Sequence, residues 1–226
     1  MTCIKGGPRP FARMPARNVA HFPSSSGPAV NTPASAATRK RDAVTTVSLV
    51  FLCNCVNTLS VGGVALFLPL IREDLHITFA QAGMLSVAAT ATYALGQIPA
   101  GFLTDRFGPK KLFFIGITGS TALMLQFGMV GSYEQALVNQ MLTGTFRAFL
   151  FAPGLTLLSS WFPPERRATA MGLYIAANFT GNIVLSLVGP LMVLSHTWRF
   201  PFTVFSLTGS AVAVVFFIFA KEQDRK

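Results

Sequence analysis

Only 12% of the 226 residues are charged, so a charge inside an apolar run is conspicuous. Arg147 is such a charge: it interrupts an otherwise uncharged stretch from Gln135 to Pro164. If that stretch crosses a bilayer, Arg147 lies near the midplane. A charge there costs at least about 2.5 kcal/mol, and such residues normally face a cavity or a partner. No Asp, Glu or Lys occurs at that depth in the sequence. The guanidinium is a planar fork of donors that matches a carboxylate or phosphate. Three roles follow: binding an anionic substrate group, coupling or gating, and a structural bond to backbone or Asn side chains. Other polar residues reach the same depth. Asn54 and Asn57 lie one turn apart, as do Thr90 and Tyr93, and Asn178 and Asn182. Amide pairs of this kind suit hydroxyls.

The elements that carry these residues follow from composition. Hydrophobic residues make up 51% of the chain, with 21 Phe but only two Trp. A soluble domain carries about twice the charge found here. A bilayer core needs roughly 20 apolar residues of helix. Charge-poor stretches predict six spans at about 43–71, 77–104, 112–132, 136–160, 168–194 and 200–220. At that depth the backbone must satisfy itself, so the spans are helices. Strand-type alternation is absent, which argues against a membrane barrel. Thr78 and Gln81 have the spacing of a capping box at the start of the second span. Pro163 and Pro164 precede the fifth, where proline suits a helix start. The expected fold class is an all-α integral membrane bundle of six transmembrane helices.

Fifteen Lys and Arg residues fall on one side of these spans, against Arg72 and Arg199 on the other. The positive-inside rule then places both termini in the cytoplasm. It also accounts for the net charge of +10 without nucleic acid, for which no groove-reading motif is present. Residues 1–42 are rich in Pro, Ser, Ala and Gly and read as a disordered basic cytoplasmic tail. Cys53 and Cys55 lie on different faces of a helix and read as small buried residues rather than a redox or metal pair.

The loop after the second span is chemically odd. Asp105 sits at a helix C-terminus, where the helix dipole disfavours an anion, and at the membrane edge, where a lone charge is costly. Gly101 would let a neighbouring helix approach closely. Gly108 permits a tight turn. Lys110 and Lys111 can meet anionic headgroups. Together, Gly101, Leu103, Asp105, Arg106, Gly108, Lys110 and Lys111 resemble the signature loop of the major facilitator superfamily. Pro109 departs from it, standing where a basic residue is usual. The segment from Trp161 to Gly172 is similar to that family's loop between spans four and five, and Trp198, Arg199 and Phe202 also look familial.

The resemblance covers residues 43–226 and implies the N-terminal six-helix half of a twelve-helix secondary transporter. It implies that spans one, two, four and five line a polar cavity while three and six face lipid. It further implies a cytoplasmic latch of Asp105, Arg106, Glu165 and Arg166, which would close in one conformation and break in the other. A plain positive-inside anchor is the alternative, for Arg167 first and then for Glu165 and Arg166. Family members often carry an Arg in span four followed by Gly; here that position is Gln140, with Gly144 following. Arg147 lies two turns deeper, so the family residue's role does not transfer to it directly.

The expected function is secondary active transport of a small solute, an organic anion by virtue of Arg147, through alternating access. The expected substrate site is Arg147, Asn54, Asn57, Tyr93, Asn178 and Asn182. The gating set is Gly101, Asp105, Arg106, Gly108, Lys110, Glu165 and Arg166. A neutral solute such as a sugar is the alternative. A drug–proton antiporter is disfavoured, since Gly189 and Pro190 are followed by Leu191 and Met192 rather than a Gly pair. No nucleotide loop, metal-ligand spacing or nucleophile elbow suggests an enzyme, and no cofactor is expected. The expected location is a plasma membrane of the bacterial inner-membrane type. The expected partners are the small-molecule substrate, the lipid bilayer, and a missing C-terminal half or a second copy. A fragment of a longer protein, a half-chain that pairs, and a non-transporting sensor or scaffold are the three readings of the short length.

Overall fold

The computed structural model describes residues 33–221. Seven α-helices account for most of them: α1 (Pro33–Leu66), α2 (Leu68–Asp74), α3 (Phe79–Phe107), α4 (Pro109–Phe127), α5 (Tyr133–Ser159), α6 (Arg167–Ser195) and α7 (Arg199–Phe219). A 3-10 turn, Pro164–Arg166, leads into α6. All but α2 are 19 residues or longer, which at 1.5 Å per residue is close to the thickness of a bilayer core. Four helical stretches are both long and apolar enough to cross a membrane: Lys40–Leu66, Tyr133–Ser159, Pro164–Ser195 and Arg199–Phe219. α3 and α4 are not among the four: α3 carries Gln97 and many small residues, and α4 opens with Lys110 and Lys111.

Several boundaries have local causes. Thr78 caps α3 reciprocally with Gln81, as its spacing predicted: Gln81 N–H donates to Thr78 Oγ1 at 3.2 Å, and Thr78 N–H donates to Gln81 Oε1 at 2.9 Å. Ser132 caps α5 by accepting from Gln135 N–H at 3.4 Å. Only Gly108 separates α3 from α4, and its φ of 87° is a conformation that glycine adopts without strain.

Two boundaries differ from expectation. α1 begins at Pro33, so residues 33–42 are helical rather than irregular tail. Pro33 occupies the first helical position, where its missing N–H is harmless, and Ala, Lys and Arg follow. Residues 1–32 lie outside the described residues. The expected first span, 43–71, breaks at Phe67, and α2 starts with Pro69 in its first turn. A proline ring cannot continue the i→i−4 ladder of α1.

The strongest helix pairings form a repeating pattern. α1 packs on α6 and α7 as α5 packs on α3 and α4, and α4 meets α7. Exchanging α1, α3 and α4 for α5, α6 and α7 leaves that pattern unchanged. Small residues set the two central crossings. Gly181 on α6 lies against the Cys55 carbonyl of α1, where a Cβ would come to 2.6 Å, and Gly144 on α5 lies against the Ala89 carbonyl of α3. Close backbone approach of this kind is how helices associate without a hydrophobic drive. One core cluster gathers Phe113, Ile117, Leu157, Tyr174 and Phe216; a second, at the opposite end, gathers Phe67, Phe127, Trp198 and Phe202. The outer faces of α3 and α6 expose Leu95, Ile98, Phe102, Phe179, Ile183 and Leu187.

Candidate functional site

A cavity of about 260 Å³ opens between α1, α3, α5 and α6. The two small-residue crossings place it. Thr58 lies three residues past Cys55 on α1, and Arg147 three past Gly144 on α5, and both line the cavity. Ser86, Ala89 and Thr90 come from α3; Asn178 and Asn182 come from α6; Gln140 comes from α5 above Arg147. Neither α4 nor α7 contributes.

Arg147 is half-buried. Its guanidinium carbon lies 5.3 Å from the centroid of the Tyr93 ring, within range of a cation–π attraction. Among the described residues, no carboxylate forms an ion pair with it. The opposite wall is polar. Thr58 Oγ1 donates to Asn178 Oδ1 at 2.9 Å, and Asn182 Nδ2 donates to the Asn178 carbonyl at 3.0 Å. The side-chain oxygen of Asn182 lies against Gly62 of α1, 3.4 Å from where a Cβ would stand. A single unneutralised cation facing bonded amides and hydroxyls can take a small anion that also carries hydroxyl groups.

Four of the six expected substrate residues are thereby gathered: Arg147, Tyr93, Asn178 and Asn182. Asn54 and Asn57 are not. Asn54 Nδ2 donates to the Tyr174 carbonyl at 2.9 Å, tying α1 to α6. Asn57 Oδ1 accepts from Ser120 Oγ at 2.8 Å, tying α1 to α4. The reason is that α1 is packed on α4, α6 and α7, so its amides fall inside helix contacts and must bond there. Sequence reasoning did not place Thr58, Ser86 or Gln140 in the site. Thr58 sits one turn from Asn54, and Gln140 is an amide at apolar depth; both were signals of the same kind.

A larger crevice of about 500 Å³ lies between the adjoining ends of α4 and α5, lined by Gln126, Glu134, Gln135 and Asn139 among others. Its amides are already engaged: Asn139 Nδ2 donates to the Leu123 carbonyl at 2.8 Å, and Gln135 Oε1 accepts from Gly131 N–H at 3.2 Å. It holds no cation, and its chemistry is weaker than that of the smaller cavity.

The gating set is spread over one end of the bundle. Asp105 and Arg106 are exposed at the end of α3, and Glu165 and Arg166 are exposed on the 3-10 turn. Among the described residues, neither Glu165 nor Arg166 forms an ion pair, so the four-residue latch is not assembled in this structure. Lys110 Nζ lies 5.6 Å from the Phe217 ring centroid. Gly101 was expected to admit a neighbouring helix. No atom lies within 4 Å of where its Cβ would be, because α3 turns that face away from the helices of this bundle. Gly108 makes the tight turn expected of it. The other end carries a tie that was not foreseen. Arg199 Nη1 donates to Asp74 Oδ2 at 2.7 Å, and its Nη2 donates to the Val130 carbonyl at 2.9 Å. Its guanidinium also covers the Trp198 ring at 4.4 Å.

Comparison with known proteins agrees with this architecture. The Hexuronate transporter of Bacillus subtilis (strain 168) is 25% identical over 190 residues, covering 82% of this chain and 44% of that protein. The D-galactonate transporter of Escherichia coli O6:H1 is 30% identical over 173 residues, covering 74% of this chain and 40% of that one. A bacterial homolog of the human lysosomal transporter Spinster, solved in an inward-facing and occupied conformation, superposes with a TM-score of 0.70 at 19% identity. That match covers 82% of this chain and 45% of the other. The chain thus spans less than half the length of each of these proteins. The family model described as Major Facilitator Superfamily matches residues 50–226. With that match over most of the chain, and with helices whose order and apolarity fit it, this membrane protein belongs to the Major Facilitator Superfamily of transporters.

Proposed function

We propose that the chain is the N-terminal, six-crossing half of a secondary active transporter that moves a small organic anion by alternating access. The observation that carries this reading is Arg147: a half-buried cation without a carboxylate partner among the described residues, in a polar cavity walled by α1, α3, α5 and α6. The relatives named for hexuronate and D-galactonate favour a carboxylate as the anion. Arg147 holds it through the guanidinium fork, Tyr93 stacks beside the guanidinium, and Asn178, Asn182 and Thr58 meet hydroxyl groups. Asn54 and Asn57 support the site by fixing α1.

A C-terminal half, or a second copy of the chain, closes the cavity across the exposed apolar faces of α3 and α6. Both termini face the cytoplasm, and the membrane is a plasma membrane of the bacterial inner-membrane type. Asp105, Arg106, Glu165 and Arg166 form the cytoplasmic latch in the conformation opposite to the one described, with Gly101, Gly108 and Lys110 shaping the loop that carries it. The neutral-solute reading draws on the same Asn and Thr groups, and Arg147 separates the two.

The test is carboxylate uptake into proteoliposomes holding the complete transporter. Arg147→Lys keeps the charge and loses the bidentate fork. Uptake of D-galactonate falls by at least about tenfold if the fork holds the anion, since a strong charge-assisted pair is broken. Uptake at the wild-type rate would remove the anion assignment and favour a neutral solute.

A further inference from the structure

Gln140 gives the cavity a second pole. Its side chain is 2% exposed and lines the same cavity as Arg147. Its Nε2 is buried and has no hydrogen-bond partner. A buried donor without a partner is costly, and such groups in native structures call for an explanation. The polar groups across the cavity do not supply one: Thr58 and Asn178 bond to each other, and the Asn182 amide donates to backbone. Gln140 and Arg147 are seven residues apart on α5, so they share a face and are separated by about 10 Å along the axis. That backbone spacing is of the same order as the length of an extended six-carbon hydroxy acid. The two poles differ in charge, because Arg147 is the single charged residue among those lining the cavity.

We infer that Gln140 is a specificity-determining residue, donating its amide N–H to a hydroxyl oxygen at the far end of a substrate whose carboxylate Arg147 holds. The cavity then selects a polyhydroxylated monocarboxylate. A dicarboxylate of the same length is disfavoured, because its second charge would meet one neutral amide in place of a cation and lose its water uncompensated. An unhydroxylated carboxylate is disfavoured because it leaves the Gln140 donor unmet. This inference rests on the organic-anion reading above.

The experiment is equilibrium binding to the complete transporter in lipid nanodiscs, with D-galactonate, D-glucarate and hexanoate as probes. Wild type binds D-galactonate about tenfold more tightly than either of the others, the scale of one buried hydrogen bond gained. Gln140→Leu and Gln140→Met, two variants of different shape that both lack the donor, bind D-galactonate about tenfold more weakly than wild type does, while hexanoate binding is unchanged. Gln140→Arg inverts the order and prefers D-glucarate. If both donor-less variants keep the wild-type preference for D-galactonate over hexanoate, the Gln140 assignment is overturned while the anion reading stands. If wild type binds none of the three carboxylates, the anion reading is overturned and this inference falls with it.

Discussion

The two ends of the bundle differ in how some of their charges are held. At the end carrying Arg199, the guanidinium bonds Asp74 and the Val130 carbonyl, so three chain segments are pinned together. Beneath it Phe202 meets Phe67, Phe127 and Trp198 edge-on, with ring centroids 5.3–6.1 Å apart. At the end carrying Asp105, Lys221 Nζ donates to Asp42 Oδ2 at 2.9 Å, but Glu165 and Arg166 stand exposed on a 3-10 turn and form no ion pair among the described residues. A charge satisfied within its own half makes that half rigid. A charge left for another partner can respond to conformation. On the proposed transport reading, the Arg199 end is the fixed one and the 3-10 turn at the Asp105 end is the one that switches.

The largest loss of stability is expected at the aromatic cluster. Phe202 is 1% exposed, and Phe202→Ala should destabilise the folded chain by about 3 kcal/mol through the cavity it leaves. The check is the thermal unfolding midpoint in detergent, which should drop by several degrees. An unchanged midpoint would mean that this end is not the rigid one.

Arg199→Ala comes next. It removes a charge-assisted pair and a backbone bond, but both partners of the ion pair are about a third exposed, so screening reduces the cost to about 1–2 kcal/mol. Denaturant unfolding of wild type, Arg199→Ala and Asp74→Ala, combined with the double variant, isolates the pair as a coupling energy. A coupling near zero would reduce the tie to a surface contact.

The smallest effect is expected at the other end. Glu165→Gln and Arg166→Gln should change the stability of this chain by less than about 0.5 kcal/mol, as for exposed substitutions generally. In the complete transporter the same variants should shift the balance between inward and outward accessibility, read by cysteine labelling from either side. A stability loss without a shift in accessibility would make these residues plain anchors.

The sequence carried the local part of this account well. The Thr78–Gln81 cap and the Gly108 turn are decided by neighbours in the chain, and both were readable. Charge-poor runs located the long helices but passed through Phe67, because a hydrophobicity criterion senses apolarity and not the ladder that Pro69 interrupts. The site was half legible for a similar reason. Asn54 and Asn57 resemble Asn178 and Asn182 in residue type and depth. Their fates differ because α1 sits among three helices while α6 presents a face to the cavity, and that is decided by tertiary packing. Gln140 was visible as a departure from the family pattern, but its empty donor was not.

The most direct measurement is equilibrium binding of D-galactonate to the complete transporter in nanodiscs, wild type against Arg147→Gln. The variant is uncharged at this position and keeps a polar side chain. The account predicts that affinity falls by at least about thirtyfold, the lower end for truncating one partner of a buried charge pair. Equal affinity in the two proteins would contradict it.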